Sequence, residues 1–149
     1  MSISFDGITP DNYPTNARKV LDANWIKTRT LPATATTLYS ASLDLGDALS
    51  KVPYATTETV NVHVLAPAIT HGIMGSETIT YTIQDSVDDS SFTSTTLAKA
   101  YTGSGAGAAA ATITFKLQPE GRRYIRLAVT SSGSTTGADA LTATLQLAF

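Results

Sequence analysis

Cysteine is absent from the 149 residues, which excludes disulfides, thiolate metal sites and a cysteine nucleophile together. Charge is scarce as well: Asp, Glu, Lys and Arg make up 15% of the chain and the net charge is −2. Nucleic-acid partners need a clustered basic face, so none is expected. No apolar run approaches the roughly 20 residues that cross a bilayer, and Met1 to Pro10 contains Asp6 and no continuous apolar stretch. Neither a membrane partner nor a signal peptide is therefore expected, and the chain is read as made in a cytoplasm. Helical periodicity is nearly missing too, since only Ala17 to Ile26 could hold a short helix.

Alternation is what the chain does have. Tyr39, Ala41, Leu43 and Leu45 alternate with Ser40, Ser42 and Asp44, and Leu141, Ala143, Leu145, Leu147 and Phe149 alternate with Thr142, Thr144, Gln146 and Ala148. A period of two means half-buried strands. Similar rows (Val60, Val62, Val64; Ile79, Tyr81, Ile83; Ile113, Phe115, Leu117; Ile125, Leu127, Val129) place strands near 37–45, 58–66, 77–85, 93–101, 111–118, 122–131 and 139–149. The fourth of these is the weakest, because Lys99 interrupts the row of Leu97 and Tyr101. Loops rich in Gly, Asp, Ser or Pro separate the strands. Short strands with regular breaks and no helical crossover predict an all-β fold, an antiparallel β-sandwich of jelly-roll type.

Residues 1–36 differ from the β-sandwich domain expected over 37–149. Pro10, Pro14 and Pro32 interrupt them, and they read as an extended N-terminal arm. Its charges are mixed, with Arg18, Lys19, Lys27 and Arg29 against Asp6, Asp11 and Asp22. Its apolar anchors are Phe5, Ile8, Tyr13, Trp25 and Ile26. Aromatic and cationic anchors concentrate binding energy, so Phe5, Tyr13, Arg18, Lys19, Trp25, Ile26, Lys27 and Arg29 are the candidate partner-binding residues. Trp25, the sole Trp, either packs the arm on its own sandwich or anchors it in a neighbour. Removing residues 1–36 is expected to leave a folded sandwich that no longer attaches.

Reactive constellations are wanting. His63 and His71 lie eight residues apart with no Cys or carboxylate ligand beside them in sequence, so they read as ordinary surface or interface histidines. Asp85, Asp88 and Asp89 are dense enough to suggest calcium, but the EF-hand Gly and distal Glu are missing and a solvated turn is the simpler reading. Nothing brings two carboxylates together as a glycosidase requires. The Gly103-Ser-Gly-Ala-Gly107 stretch precedes a strand rather than a helix, which fits neither a nucleophile elbow nor a phosphate loop. Arg122, Arg123 and Arg126 flank Tyr124, a basic cluster suited to salt bridges or to an acidic partner. Catalytic, metal and cofactor sites are all expected to be none, and the chain is read as a non-enzyme.

The segment Ile83-Gln-Asp-Ser-Val-Asp-Asp-Ser-Ser-Phe92, then Arg123-Tyr-Ile-Arg-Leu127, a Gly/Ser/Thr hairpin and the alternating C-terminal strand resemble tailed-phage capsid cement (decoration) proteins. The segment Tyr39-Ser-Ala-Ser-Leu-Asp-Leu-Gly46 is similar to their first core strand. The resemblance spans residues 37–149, and the arm matches least. It implies a jelly-roll virion protein on the capsid exterior that bridges subunits of the phage major capsid protein without catalysis. It also implies a homo-oligomer, for which a trimer is favoured over a dimer. From another class, a carbohydrate- or receptor-binding sandwich of a phage tail or fibre remains the alternative.

Overall fold

Val62, Val64 and Ala66 are buried while Asn61, His63 and Leu65 between them are partly exposed, so this segment keeps a strict period of two. The same alternation recurs, less strictly, in the other strands of the computed structural model, which describes residues 25–46, 61–70, 75–103, 107–116 and 122–148. The strands are β1 (Ile26–Thr30), β2 (Thr37–Tyr39), β3 (Leu43–Asp44), β4 (Asn61–Ala66), β5 (Thr78–Ser86), β6 (Thr93–Thr102), β7 (Ala111–Lys116), β8 (Tyr124–Ser131) and β9 (Thr142–Ala148). One sheet runs β1-β9-β4-β7, and the other runs β2-β8-β5-β6 with β3 also on β8. All pairs are antiparallel.

Pairing is nested. β5 pairs with β6, β4 with β7, β2 with β8 and β1 with β9, so the chain is one long ribbon folded on itself. The ribbon then rolls until β9 meets β4 and β8 meets β5. That arrangement is a jelly roll, and the expected all-β sandwich is the observed fold. Leu43, Val62, Val64, Ile79, Tyr81, Ile83, Ile125, Leu127, Leu145 and Leu147 fill the space between the sheets. Each large aliphatic side chain buried there contributes about 1.5–3 kcal/mol.

The sandwich begins earlier than residue 37, and this corrects the expected arm. Ile26–Thr30 is a strand paired with β9 over Ile26↔Gln146 to Thr30↔Thr142, so no helix reaches Ile26. Leu31 is fully buried, and its N–H donates to the Leu141 carbonyl at 3.0 Å. Residues 32–36 cross to the other sheet pinned by further bonds: Thr135 N–H to Ala33 O at 3.0 Å, Ser131 N–H to Thr36 O at 3.0 Å, and the buried Thr135 hydroxyl to Pro32 O. Proline at 32 had suggested an interruption. Instead it occupies a crossover, where a missing N–H costs no ladder bond. Residues 1–24, the remainder of the expected arm, lie outside the described residues.

The strand expected over 37–45 is split. Tyr39 pairs with Ala128 and Leu43 with Ile125, so four steps along this segment answer three along β8. One extra residue reverses the facing of everything beyond it. Leu38 and Ser40 therefore point inward on one side of the break and Leu43 and Leu45 on the other, while Tyr39 and Ala41 turn outward. Ser40 repairs the ladder at this point: its N–H reaches Leu127 O at 2.9 Å and its hydroxyl accepts the Leu127 N–H at 3.0 Å.

Both sheets carry cations on the inward row of an edge strand. Lys27 and Arg29 on β1 stand opposite the buried Leu145 and Ala143, and Lys99 on β6 stands opposite Tyr81. Inward-pointing charge at an edge obstructs pairing with a further strand. Lys99 thus marks β6 as an edge rather than as a poor strand.

Tyr81 is the largest fully buried side chain among the described residues, packed edge-on against Tyr101 with ring centroids 6.0 Å apart. Its hydroxyl has no hydrogen-bond partner among the described residues. Burial, and to a smaller degree Tyr101, holds this phenol well above the ordinary tyrosine range. The folded state therefore binds the phenolic proton more tightly than the unfolded chain, a contribution complete below the unfolded value of about 10 and lost as pH rises above it.

Two outcomes are expected. Deleting residues 1–36 removes β1, Leu31 and the crossover, so the fragment loses its cooperative unfolding transition in circular dichroism. Tyr81→Phe removes an unpaired buried hydroxyl and raises stability by about 1 kcal/mol in denaturant titration, and it flattens the fall in stability above pH 10.

Candidate functional site

The outward row of the β2-β8-β5-β6 sheet is made of small residues at one end and of arginine and aromatic side chains at the other. Thr37, Thr130, Thr80 and Ala100 lie across the sheet in one register, and Tyr39, Ala128, Thr82 and Ala98 in the next. Hydroxyls meet directly in this half, Thr37 with Thr130 at 2.8 Å and Thr78 with Thr102 at 3.0 Å. The next register brings Arg126, Gln84 and Ser94 side by side.

Arg126 is the centre of that end. Its guanidinium carbon lies 4.0 Å from the Tyr39 ring centroid and 4.0 Å from that of Phe92. Tyr39 arrives from β2 on one side of β8, and Phe92 from the start of β6 beyond β5, so the guanidinium is held between two rings. Such cation–π contacts are worth about 0.5–1 kcal/mol each where exposed. In the plane, Arg126 Nε donates to Gln84 Oε1 at 2.9 Å, and Gln84 Nε2 donates to Ser94 Oγ at 3.1 Å. The extra residue before Leu43 is what puts Tyr39 on this face.

Two further arginines border the cluster, and both meet carboxylates. Arg123 makes a fork on Asp44, with Nε to Oδ1 at 2.9 Å and Nη2 to Oδ2 at 2.7 Å, and it also lies 5.1 Å from the Tyr124 ring centroid. Arg122 approaches Asp85 at 3.9 Å and donates to Thr93 Oγ1 at 3.1 Å. Both pairs are exposed enough for water to screen them, and each adds little to stability. Salt bridges were one of the two readings of this basic cluster, and for Arg122 and Arg123 they form.

The β5–β6 hairpin closes the cluster. Asp88 accepts from Ser91 N–H at 2.9 Å, Ser90 N–H at 3.0 Å and the Ser86 hydroxyl at 2.8 Å. These donors, the Ser91 amide foremost, hold its carboxyl well below the usual carboxylate range. The turn needs a left-handed residue at Asp89, φ 59°, a conformation that Asp tolerates. Val87 beside it is 66% exposed and Tyr39 is 42% exposed.

Of the residues singled out in the arm, Phe5, Tyr13, Arg18 and Lys19 lie outside the described residues. Trp25 is partly buried against this chain's own core. Ile26, Lys27 and Arg29 belong to β1, where Lys27 and Arg29 face inward and Ile26 outward, so these three are sheet residues and do not project as an arm. His63 sits on β4 in register with Thr114 and Gln146, and His71 and Ser104 lie outside the described residues. Among the described residues no group of three His, Asp or Glu side chains could hold a metal ion, and no helix is long and apolar enough to cross a membrane. No protein-family model and no curated protein sequence matches the chain.

The aromatic clamp escaped sequence reasoning. Tyr39 had been placed in one inward row with Leu43, and nothing local marks the inserted residue between them. Phe92 and Arg126 are 34 positions apart, and only the β5–β8 register unites them.

Asp88 should titrate below the ordinary aspartate range in carbon-detected NMR, because its ionised form is the one bonded in the folded state. The hairpin's contribution to stability is complete above the unfolded value of about 3.9 and is lost as pH falls through the folded value. Protection of the Ser90 and Ser91 amides is expected to persist at pH 4 and to vanish in Asp88→Ala at any pH.

Proposed function

We propose that this chain is a virion structural protein that binds the outer surface of an icosahedral phage capsid as a homo-oligomer and bridges neighbouring major capsid subunits. The observation that supports it most directly is the outer face of the β2-β8-β5-β6 sheet. A nearly uncharged field of Thr and Ala borders an arginine held between two aromatic rings, and arginine and aromatic side chains are the residue types that protein interfaces favour at their centres. Jelly rolls carry many functions, capsid and lectin domains among them, so the fold permits this reading without selecting it. The segments 83–92 and 123–127, on which the resemblance to cement proteins rests, supply Gln84, Phe92, Arg123 and Arg126 to this face. Many copies on a symmetric shell would add weak contacts into a strong stabilisation.

A carbohydrate-binding module is the second reading, favoured by the exposed Tyr39 ring on the same face as Gln84 and Ser94. Against it, Arg126 already occupies the space over that ring.

Co-sedimentation with expanded capsids of the phage that encodes the chain tests the proposal, with the oligomeric mass in solution measured in parallel. Saturable binding and a raised capsid melting temperature are expected. No binding to capsids together with affinity on a glycan array would replace this reading with the second.

A further inference from the structure

We infer that Arg126 is a preorganised receptor for a carboxylate side chain of a partner protein, and that it forms the centre of the contact made by the outer face of the β2-β8-β5-β6 sheet. The inference rests on the proposed function only for the identity of that partner.

Each of the guanidinium's ordinary options is already assigned. Its faces are covered by Tyr39 and Phe92, both 4.0 Å away, and its Nε is given to Gln84. Its two Nη groups have no hydrogen-bond acceptor and no carboxylate in ion-pair reach among the described residues, whereas Arg122 has Asp85 and Arg123 has Asp44. What remains is a planar fork of donors, held in one orientation by two rings and by the Gln84–Ser94 pair. A fork of this geometry matches a carboxylate in bidentate fashion. Rotamer entropy is largely lost before the partner arrives, so more of the contact energy appears as affinity.

Charge selects a carboxylate-bearing protein over a polyanion. With Arg122 and Arg123 neutralised by their own aspartates and a net charge of −2, the face lacks the positive field that nucleic acid or an anionic membrane requires. One unpaired fork suits one carboxylate. The exposed Tyr39 on this face and Val87 at the neighbouring turn provide apolar area around it, and the Thr and Ala rows permit close approach of a flat partner surface.

The test uses the full chain labelled at arginine side-chain nitrogens, titrated at physiological salt with an N-acetylated, C-amidated tetraglutamate peptide, and separately with inorganic phosphate. Saturable shifts of the Arg126 nitrogens and of the Tyr39 and Phe92 rings are expected with the peptide. Arg126→Lys, which keeps the charge and loses the fork, should weaken binding about tenfold, and Arg126→Ala should abolish it. Amide spectra of both variants establish that they are folded, and Tyr39→Ala, which removes one wall of the clamp, serves as a third variant expected to weaken binding. Unchanged affinity in Arg126→Ala, or tighter binding of phosphate than of peptide, overturns the inference. A capsid arm separates it from the functional reading: peptide binding without capsid binding overturns the proposed partner alone, and capsid binding that survives Arg126→Ala overturns the inference alone.

Discussion

Two sheets that share one core must each keep a single row of side chains inward along every strand, because a slip of one residue exchanges the core row for the surface row. The large core residues of β4, β5, β8 and β9 follow this rule, with Val62, Val64, Ile79, Tyr81, Ile83, Ile125, Leu127, Leu145 and Leu147 all buried. The polar faces then follow from the same rule. Thr80, Thr82, Arg126 and Thr130 lie outward because their neighbours lie inward, and the surface available for binding is set by the packing beneath it. The extra residue between Tyr39 and Leu43 is informative in that light. Leu43 and Leu45 reach the core only because the chain changes phase, and the aromatic ring before the change is left facing outward beside Arg126.

Edges are the second consequence of open sheets. β1 and β6 each terminate a sheet, and each turns lysine or arginine toward the inside of the sandwich at its rim. Burying those charges beneath another strand would require desolvating them, so the rims resist extension. On the outer face of the β2-β8-β5-β6 sheet, by contrast, Arg122 and Arg123 meet aspartates and Arg126 is stacked on two rings. The molecule therefore keeps inward-pointing cations at its rims and engaged arginines on this outer face.

Much of this was legible in the sequence, for a physical reason. Alternation of Val, Ile and Leu with Thr and Gln is a direct image of burial, so β4 to β9 fall within a few residues of where the pattern puts them. β1 was not legible. Its inward row is Trp25, Lys27, Arg29 and Leu31, and cations in that row hide the apolar alternation on which strand assignment relies. Lys99 weakened β6 in the same way. The candidate site was legible in composition only: the arginines around Tyr124 were visible as a cluster, and their division into two paired with carboxylates and one clamped by rings depends on register between strands far apart in the chain. Nothing along the chain reports that register directly.

The nested ribbon also constrains how the fold can be reached. Only residues 87–92 separate β5 from β6, with Asp88 organising the turn, so this hairpin closes at small entropic cost. Once it has formed, the chain joining β4 to β7 is effectively shorter, and pairing those strands does the same for β2 with β8 and for β1 with β9. Each closure shortens the effective loop for the next. The nesting thus offers a route that divides long-range pairing, otherwise slow, into a series of short steps.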